Sequence, residues 1–405
     1  MKSMRGGVTA PLGFTASGVH CGIRKKGEKK DLALIWSETS CSAAAVYTKN
    51  KVIGQPLVVT REHLADGKAR AIIVNSGNAN TCTGEQGVRD ARRMAEFVSA
   101  RLPVDARDVV VASTGVIGVP LDVSVIEIRM DDLVAGLSKS GSIDAREAIM
   151  TTDTMKKEAA LSIEIGGRTV TIGAMAKGSG MIHPNMATML GFVTTDCAIS
   201  TALLQKALSE TVRRTFNRVT VDGDTSTNDM VVVLANGMAG NAEIVSEDDS
   251  YRDFAQALDW VCTELSRMIA RDGEGATRLV ECTVSGAKSE DDAEALAKSV
   301  ISSSLVKTAM FGADANWGRV LCALGYAGPD FDPGKVDLAF ESPRGYIEVC
   351  KDGAPLPFSE EKAKKVLEDR EIQILVTLGE GEGSATAWGC DLSYEYVKIN
   401  GDYRS

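Results

Sequence analysis

Apolar positions along the chain fall into two alternating rhythms. Val88, Ala91, Met94, Ala95, Val98 and Leu102 share one helical face, and Pro103 stops the helix. A second helix is predicted between Val123 and Leu137. A third carries Leu203, Leu204, Ala207, Leu208 and Val212 behind a Ser200 cap. A fourth carries Phe254, Leu258, Val261, Leu265 and Met268 and ends at Asp272-Gly273. Ser289 opens another, and Ser359–Leu367 reads as a late one. Short apolar runs predict strands at Leu32–Ser37, Ala69–Val74, Asp108–Ala112, Thr169–Met175, Met230–Leu234, Arg278–Val284, Lys335–Phe340, Tyr346–Val349 and Ile372–Leu378. Strands alternating with helices predict an α/β protein with layered sheets covered by helices. No low-complexity linker marks a boundary, and no short-period repeat is present.

Polar loops dense in turn formers interrupt this pattern: Asn75–Gly84, Ser113–Gly118, Met150–Thr154 and Asp222–Asp229. The most unusual stretch is Ala176–Leu190. There Gly178, Ser179 and Gly180 follow Lys177, Pro184 removes a donor, and Thr188 stands between Ala187 and an apolar run. Such a segment brings backbone N–H groups, a lysine and a hydroxyl into one small space.

Composition narrows the class. Glycine supplies 39 of 405 residues, above the roughly 7% of an average protein, which fits many tight turns. A net charge of −10 and 5% aromatic content argue against a nucleic-acid partner but allow a cationic small substrate. No signal peptide opens the chain, and no run of 18 apolar residues marks a membrane span. Nine cysteines without a C-x-x-C pair, with only three histidines, argue against a zinc centre and for free thiols in the cytoplasm. The Gly379–Ser384 run carries two glutamates that would repel phosphate, and no G-x-x-x-x-G-K-[ST] motif occurs.

A threonine before an apolar run is ordinarily a cap, and its hydroxyl is a poor nucleophile without a base. His183 is near in sequence but is as readily a structural residue. A second base exists if the Ala187–Thr188 bond breaks. The freed α-amine of Thr188, with an ordinary pKa of about 7.7–8.0, accepts protons near neutrality. Small Ala187 leaves the scissile carbonyl open to the Thr188 hydroxyl, so an N→O acyl shift and ester hydrolysis would complete the cut.

The segment Lys177–Leu190 resembles the self-cleavage signature of the ornithine acetyltransferases, also called glutamate N-acetyltransferases. The stretches 75–80, 113–118, 151–154, 222–229, 272–277, 314–319 and 396–404 resemble the same family, so the likeness runs from about Gly7 to the end. It implies a layered α/β fold cut into an α part, residues 1–187, and a β part, residues 188–405, which stay associated as a heterotetramer or larger assembly. It implies that Thr188 takes acetyl from N-acetylornithine and passes it to glutamate in a ping-pong order. Thr114 and Gly115 match the oxyanion-hole pair. Thr151, Lys177, Thr188, Glu274, Asn400 and Ser405 match substrate-binding positions, with Thr152 an alternative to Thr151. Family members often end in threonine, where this chain has Ser405. No metal or bound cofactor is implied, although some members accept acetyl-CoA as a second donor. Two rival readings remain at this stage: an N-terminal-threonine amidase or aminopeptidase, and an uncleaved binding protein for small amino acids.

Overall fold

The apolar runs become strands buried on both faces, which is why they read as runs rather than as alternating patterns. The computed structural model describes residues 1–25, 27–183 and 189–402. Among them, the first sheet contains β1 (Lys2–Met4), β2 (Phe14–Val19), β3 (Leu32–Tyr47), β4 (Lys68–Asn78), β5 (Val109–Val116), β6 (Lys157–Ile165), β7 (Arg168–Lys177), β8 (Leu190–Thr195) and β9 (Met230–Ala235). Its order is β1-β6-β7-β8-β9-β3-β4-β5, with β2 also paired to β3.

The long strand β3 joins two half-sheets. Leu32–Trp36 pairs with β4, Ser42–Tyr47 pairs with β9, and the β4 register breaks between Trp36 and Cys41. The two halves face each other across one core, where Ile35, Ile72 and Val110 meet Met175, Phe192 and Val232. The first helices in the chain are α1 (Gln55–His63), α2 (Gly84–Ser99), α3 (Val123–Ala135), α4 (Ser142–Ala148), α5 (Thr201–Arg214) and α6 (Asp249–Arg271). Residues of α2 and α3 share a cluster with Leu34, Ile73 and Val111 on one outer face. Residues of α5 and α6 share another with Ile172, Val193 and Val233. The result is four layers: helices, half-sheet, half-sheet, helices. Alternation within each strand serves both sides, since Ile72 and Val74 face the inner core while Ala71 and Ile73 face the helices.

The second sheet holds β10 (Leu279–Ala287), β11 (Asp337–Ser342), β12 (Gly345–Lys351), β13 (Ala354–Pro355), β14 (Glu371–Thr377) and β15 (Gly383–Cys390), in the order β13-β12-β11-β14-β10-β15. It shares a separate apolar core with α7 (Glu290–Ser302), α8 (Ser304–Gly312), α9 (Trp317–Gly325) and α10 (Glu360–Leu367). A last helix, α11 (Tyr394–Asp402), follows β15. Ser289 accepts a capping bond as expected and Ser359 accepts one too, whereas Ser200 sits at its N-cap without a side-chain capping bond.

The boundary between residues 187 and 188 is not a boundary between these bodies. β7 and β8 are antiparallel neighbours, with Lys177 opposite Leu190. Strands on both sides of position 188 therefore complete one sheet.

Candidate active site

The ends of three neighbouring strands, β7, β8 and β9, lie side by side. Lys177 closes β7, Leu190 opens β8, and Asp229 precedes Met230, which pairs with Leu190. The end of β5 approaches from the other half-sheet and carries Thr114 and Gly115. Its parallel register with β4 slips at Asn78, which opposes both Thr114 and Val116. Gly115 has a φ of +133°. A Cβ there would lie 2.3 Å from the carbonyl carbon of Gly77, so only glycine lets the two backbones come this close.

A buried ionic cluster fixes the loop before β6. Lys157 Nζ lies 2.7 Å from Asp153 and also pairs with Asp272 at the end of α6. Asp272 also accepts the Thr154 and Met155 N–H groups, each at 3.1 Å. Asp153 accepts the Thr151 N–H at 2.9 Å and the Gly178 N–H at 2.7 Å. Buried charges are tolerated when paired and hydrogen-bonded in this way. The cluster ties the Thr151–Thr152 loop to the end of β7. Thr152 Oγ1 then lies 2.8 Å from Ser179 Oγ, and the Glu274 N–H donates to the Ser179 carbonyl at 2.9 Å. A Cβ at Gly180 would stand 2.3 Å from the Glu274 carboxyl, so a larger residue there would push that side chain aside.

These elements enclose one cleft. Thr114, Gly115, Thr151, Lys177, Glu274 and Asn400 all line it, as do Met189 and Leu190. Six of the residues marked by sequence are thus brought together from five distant segments. Both Thr151 and Thr152 face the cleft. Ala187, Thr188 and Ser405 lie outside the described residues. His183 does not line the cleft. Its Nδ1 is 3.0 Å from Thr220 Oγ1, and it borders a separate groove.

The cleft holds two buried ionisable side chains with opposed tendencies. Lys177 is 9% exposed, and among the described residues no ion pair or side-chain hydrogen bond reaches its ammonium. Burial lowers its pKa, against the opposing pull of Asp153, Asp229 and Glu274. Asp229 is 3% exposed, and among the described residues its Oδ2 has no hydrogen-bond partner. Burial raises its pKa well above the carboxylate range, with Ser226 and Lys177 opposing. Burial also opposes ionisation of Asp153, but Lys157, Lys177 and the Gly178 N–H outweigh it and hold this carboxyl well below the usual range.

Thr227, Asn228 and Asp229 also line the cleft, and the 222–229 motif in the sequence assigns none of them a role. Their apolar-strand context conceals that three strand ends meet at this point. Chemically, the cleft offers a buried cation at Lys177, a carboxylate at Glu274, hydroxyls and an amide. That set suits a ligand bearing both a carboxylate and an ammonium.

The ArgJ family model matches residues 15–405. A Symbiobacterium thermophilum protein called arginine biosynthesis bifunctional protein ArgJ is 55% identical over 406 residues, covering all of both chains. One of the same name from Caldanaerobacter subterraneus subsp. tengcongensis is 50% identical over 405 residues, again covering both in full. The crystal structure of the Bacillus halodurans protein of that name matches with a TM-score of 0.51 and 50% identity, over 53% of this chain and 100% of the solved one.

Proposed function

The chain belongs to the ArgJ family, and from that premise we propose that it is an acetyltransferase of arginine biosynthesis that moves acetyl from N-acetylornithine to glutamate through Thr188. The observation that carries the reading is the convergence of Thr114, Gly115, Thr151, Lys177, Glu274 and Asn400 on one cleft, beside the residues that follow Thr188.

The Thr188 hydroxyl attacks the acetyl carbonyl while the Thr188 α-amine takes its proton. Donors at Thr114 and Gly115 stabilise the tetrahedral oxyanion, where losing one such donor costs about 100–1000-fold in rate. The amide bond breaks, the proton passes to the departing nitrogen, and ornithine leaves an acetyl ester on Thr188. The amine of glutamate then attacks that ester. The alkoxide recovers its proton through the α-amine, and N-acetylglutamate departs. Lys177 pairs with an α-carboxylate, and Glu274 with the side-chain ammonium of ornithine.

Cleavage between Ala187 and Thr188 creates the base that no described histidine in the cleft provides. Two findings support it. The Bacillus halodurans chain is covered in full by 53% of this one, near the share made up by residues 188–405. The two parts would also remain held together by a shared sheet, because β8 pairs with β7 across the cut. We assign assembly into a heterotetramer or larger on the family resemblance alone.

The relatives are called bifunctional. This supports a second activity, which we assign to acetyl-CoA as an alternative donor to glutamate. Among the described residues no helix is long and apolar enough to cross a membrane, and a cytoplasmic setting fits the proposed substrates.

Loss of acetyl from N-acetylornithine should accelerate when glutamate is added, with N-acetylglutamate as the product. Equal turnover with water alone would favour an amidase and overturn the transferase reading. The binding-protein alternative predicts one uncut chain on a denaturing gel.

A further inference from the structure

The strand that follows Thr188 and the strand that ends at Thr114-Gly115 belong to different half-sheets. Their relative position decides whether the nucleophile and the oxyanion donors meet. One buried side chain spans this gap. Asn228, 5% exposed, lies two residues before Met230, the partner of Leu190 at the start of β8. Its Nδ2 donates to the Ala79 carbonyl at 2.6 Å and to the Ser113 carbonyl at 3.0 Å. Its Oδ1 accepts from Thr227 Oγ1 at 2.7 Å and from Thr81 Oγ1. Both amide hydrogens and both lone pairs are used, the full capacity of an asparagine.

The surroundings make this tie rigid. Ser113 Oγ donates to Asn75 Oδ1 at 2.6 Å, Asn75 Nδ2 donates to the Asn78 carbonyl at 2.9 Å, and the Asn80 N–H donates to Asn78 Oδ1 at 2.7 Å. The loops 75–81 and 113–115 therefore behave as one body, and Asn228 grips both. At Gly54 a Cβ would stand 2.5 Å from Asn228 Oδ1, so a larger residue at position 54 would press on the amide.

We propose that Asn228 is a positioning residue that sets the oxyanion donors Thr114 and Gly115 against the nucleophile. This rests on the proposed Thr188 chemistry. After a cut at 187–188, the bonds to Ala79, Thr81 and Ser113 join the two parts, so Asn228 fixes the site across the parting it creates. Oxyanion donors act within about 2.7–3.1 Å of the developing charge, and a displacement of about 1 Å can cost about 100-fold in rate.

In the proposed chemistry the same donors serve the oxyanions of self-cleavage and of acetyl transfer, and cleavage needs no substrate. In N228D a carboxylate faces the two carbonyls that the amide now joins. Its kcat should fall about 100-fold with KM for N-acetylornithine within about threefold of the parent. Cleavage of freshly made full-length chain should slow by a similar factor. Thr81→Val removes one donor to Oδ1 at almost constant volume. It should show the same split at about 3–10-fold, with melting close to the parent. Cleavage and kcat within threefold of the parent in N228D would overturn the proposal. So would losses that track KM or the melting temperature in both variants, which mark a binding or purely structural role. If the parent cleaves but transfers no acetyl, the substrate assignment fails, and the cleavage rates still decide on Asn228.

Discussion

The Asn400 amide donates to Glu274 Oε2 at 2.8 Å, tying the C-terminal helix α11 to the loop after α6. Residues 126 positions apart thereby share one edge of the cleft. Asn400 is exposed, so its loss should cost little stability.

Asn400→Ala should raise KM for N-acetylornithine about fivefold, as expected for a hydrogen bond to a charged group near water. Glu274→Gln removes the charge itself and should raise that KM about 100-fold, while KM for glutamate, which has no side-chain ammonium, changes less. Steady-state kinetics with each substrate varied will check this. Equal weakening of both substrates would contradict the role given to Glu274.

Lys177 is buried, among the described residues no ion pair reaches its ammonium, and burial lowers its pKa against the pull of Asp153, Asp229 and Glu274. A buried cation without a direct ion pair costs stability, whereas an apolar side chain of similar length does not. Lys177→Met should raise the unfolding midpoint and lower kcat/KM by about 100-fold or more, because the substrate carboxylate loses its partner. Thermal unfolding and kinetics on one preparation test this trade. A destabilised yet fully active variant would contradict it.

Asp229 supplies a pH test. Its folded pKa is raised, so between the ordinary carboxyl value and the folded one the native state holds a proton that the unfolded chain has lost. Stability therefore falls as pH rises through that window, by up to about 1.4 kcal/mol per pH unit. The depressed Asp153 acts in the opposite sense, and its contribution fades only as pH falls below about 4. From about pH 5 upward the Asp229 effect stands alone of the two. Asp229→Asn should gain stability relative to the parent as pH rises from about 5, read from urea midpoints. A difference that does not vary with pH would contradict this.

Much of the fold was legible because its long helices keep one apolar face. The α2 and α6 faces read from the sequence are the buried ones, Met94 and Leu265 among them. β3 was read only to Ser37, because Glu38, Thr39 and Ser40 are exposed at the bend and hide its continuation to Tyr47. α11 has no buried residue and so no periodicity to read. Individual site residues came from motif resemblance, since Lys177 or Glu274 alone looks like any surface charge. The asparagines of 75–80 looked like turn formers, and only their hydrogen bonds show them as the frame of the oxyanion strand. The burial of Asp229 depends on three strand ends meeting, which no local pattern encodes.

Transfer through Thr188 leaves a covalent mark that intact-mass analysis reads. Purified protein incubated with N-acetylornithine alone should show two fragments that meet at Ala187–Thr188. One acetyl group should sit on the fragment beginning at Thr188 and be lost when glutamate is added, while Thr188→Ala should stay uncut and unacetylated. Active protein that remains one intact chain, or an acetyl group carried elsewhere than Thr188, would contradict the account.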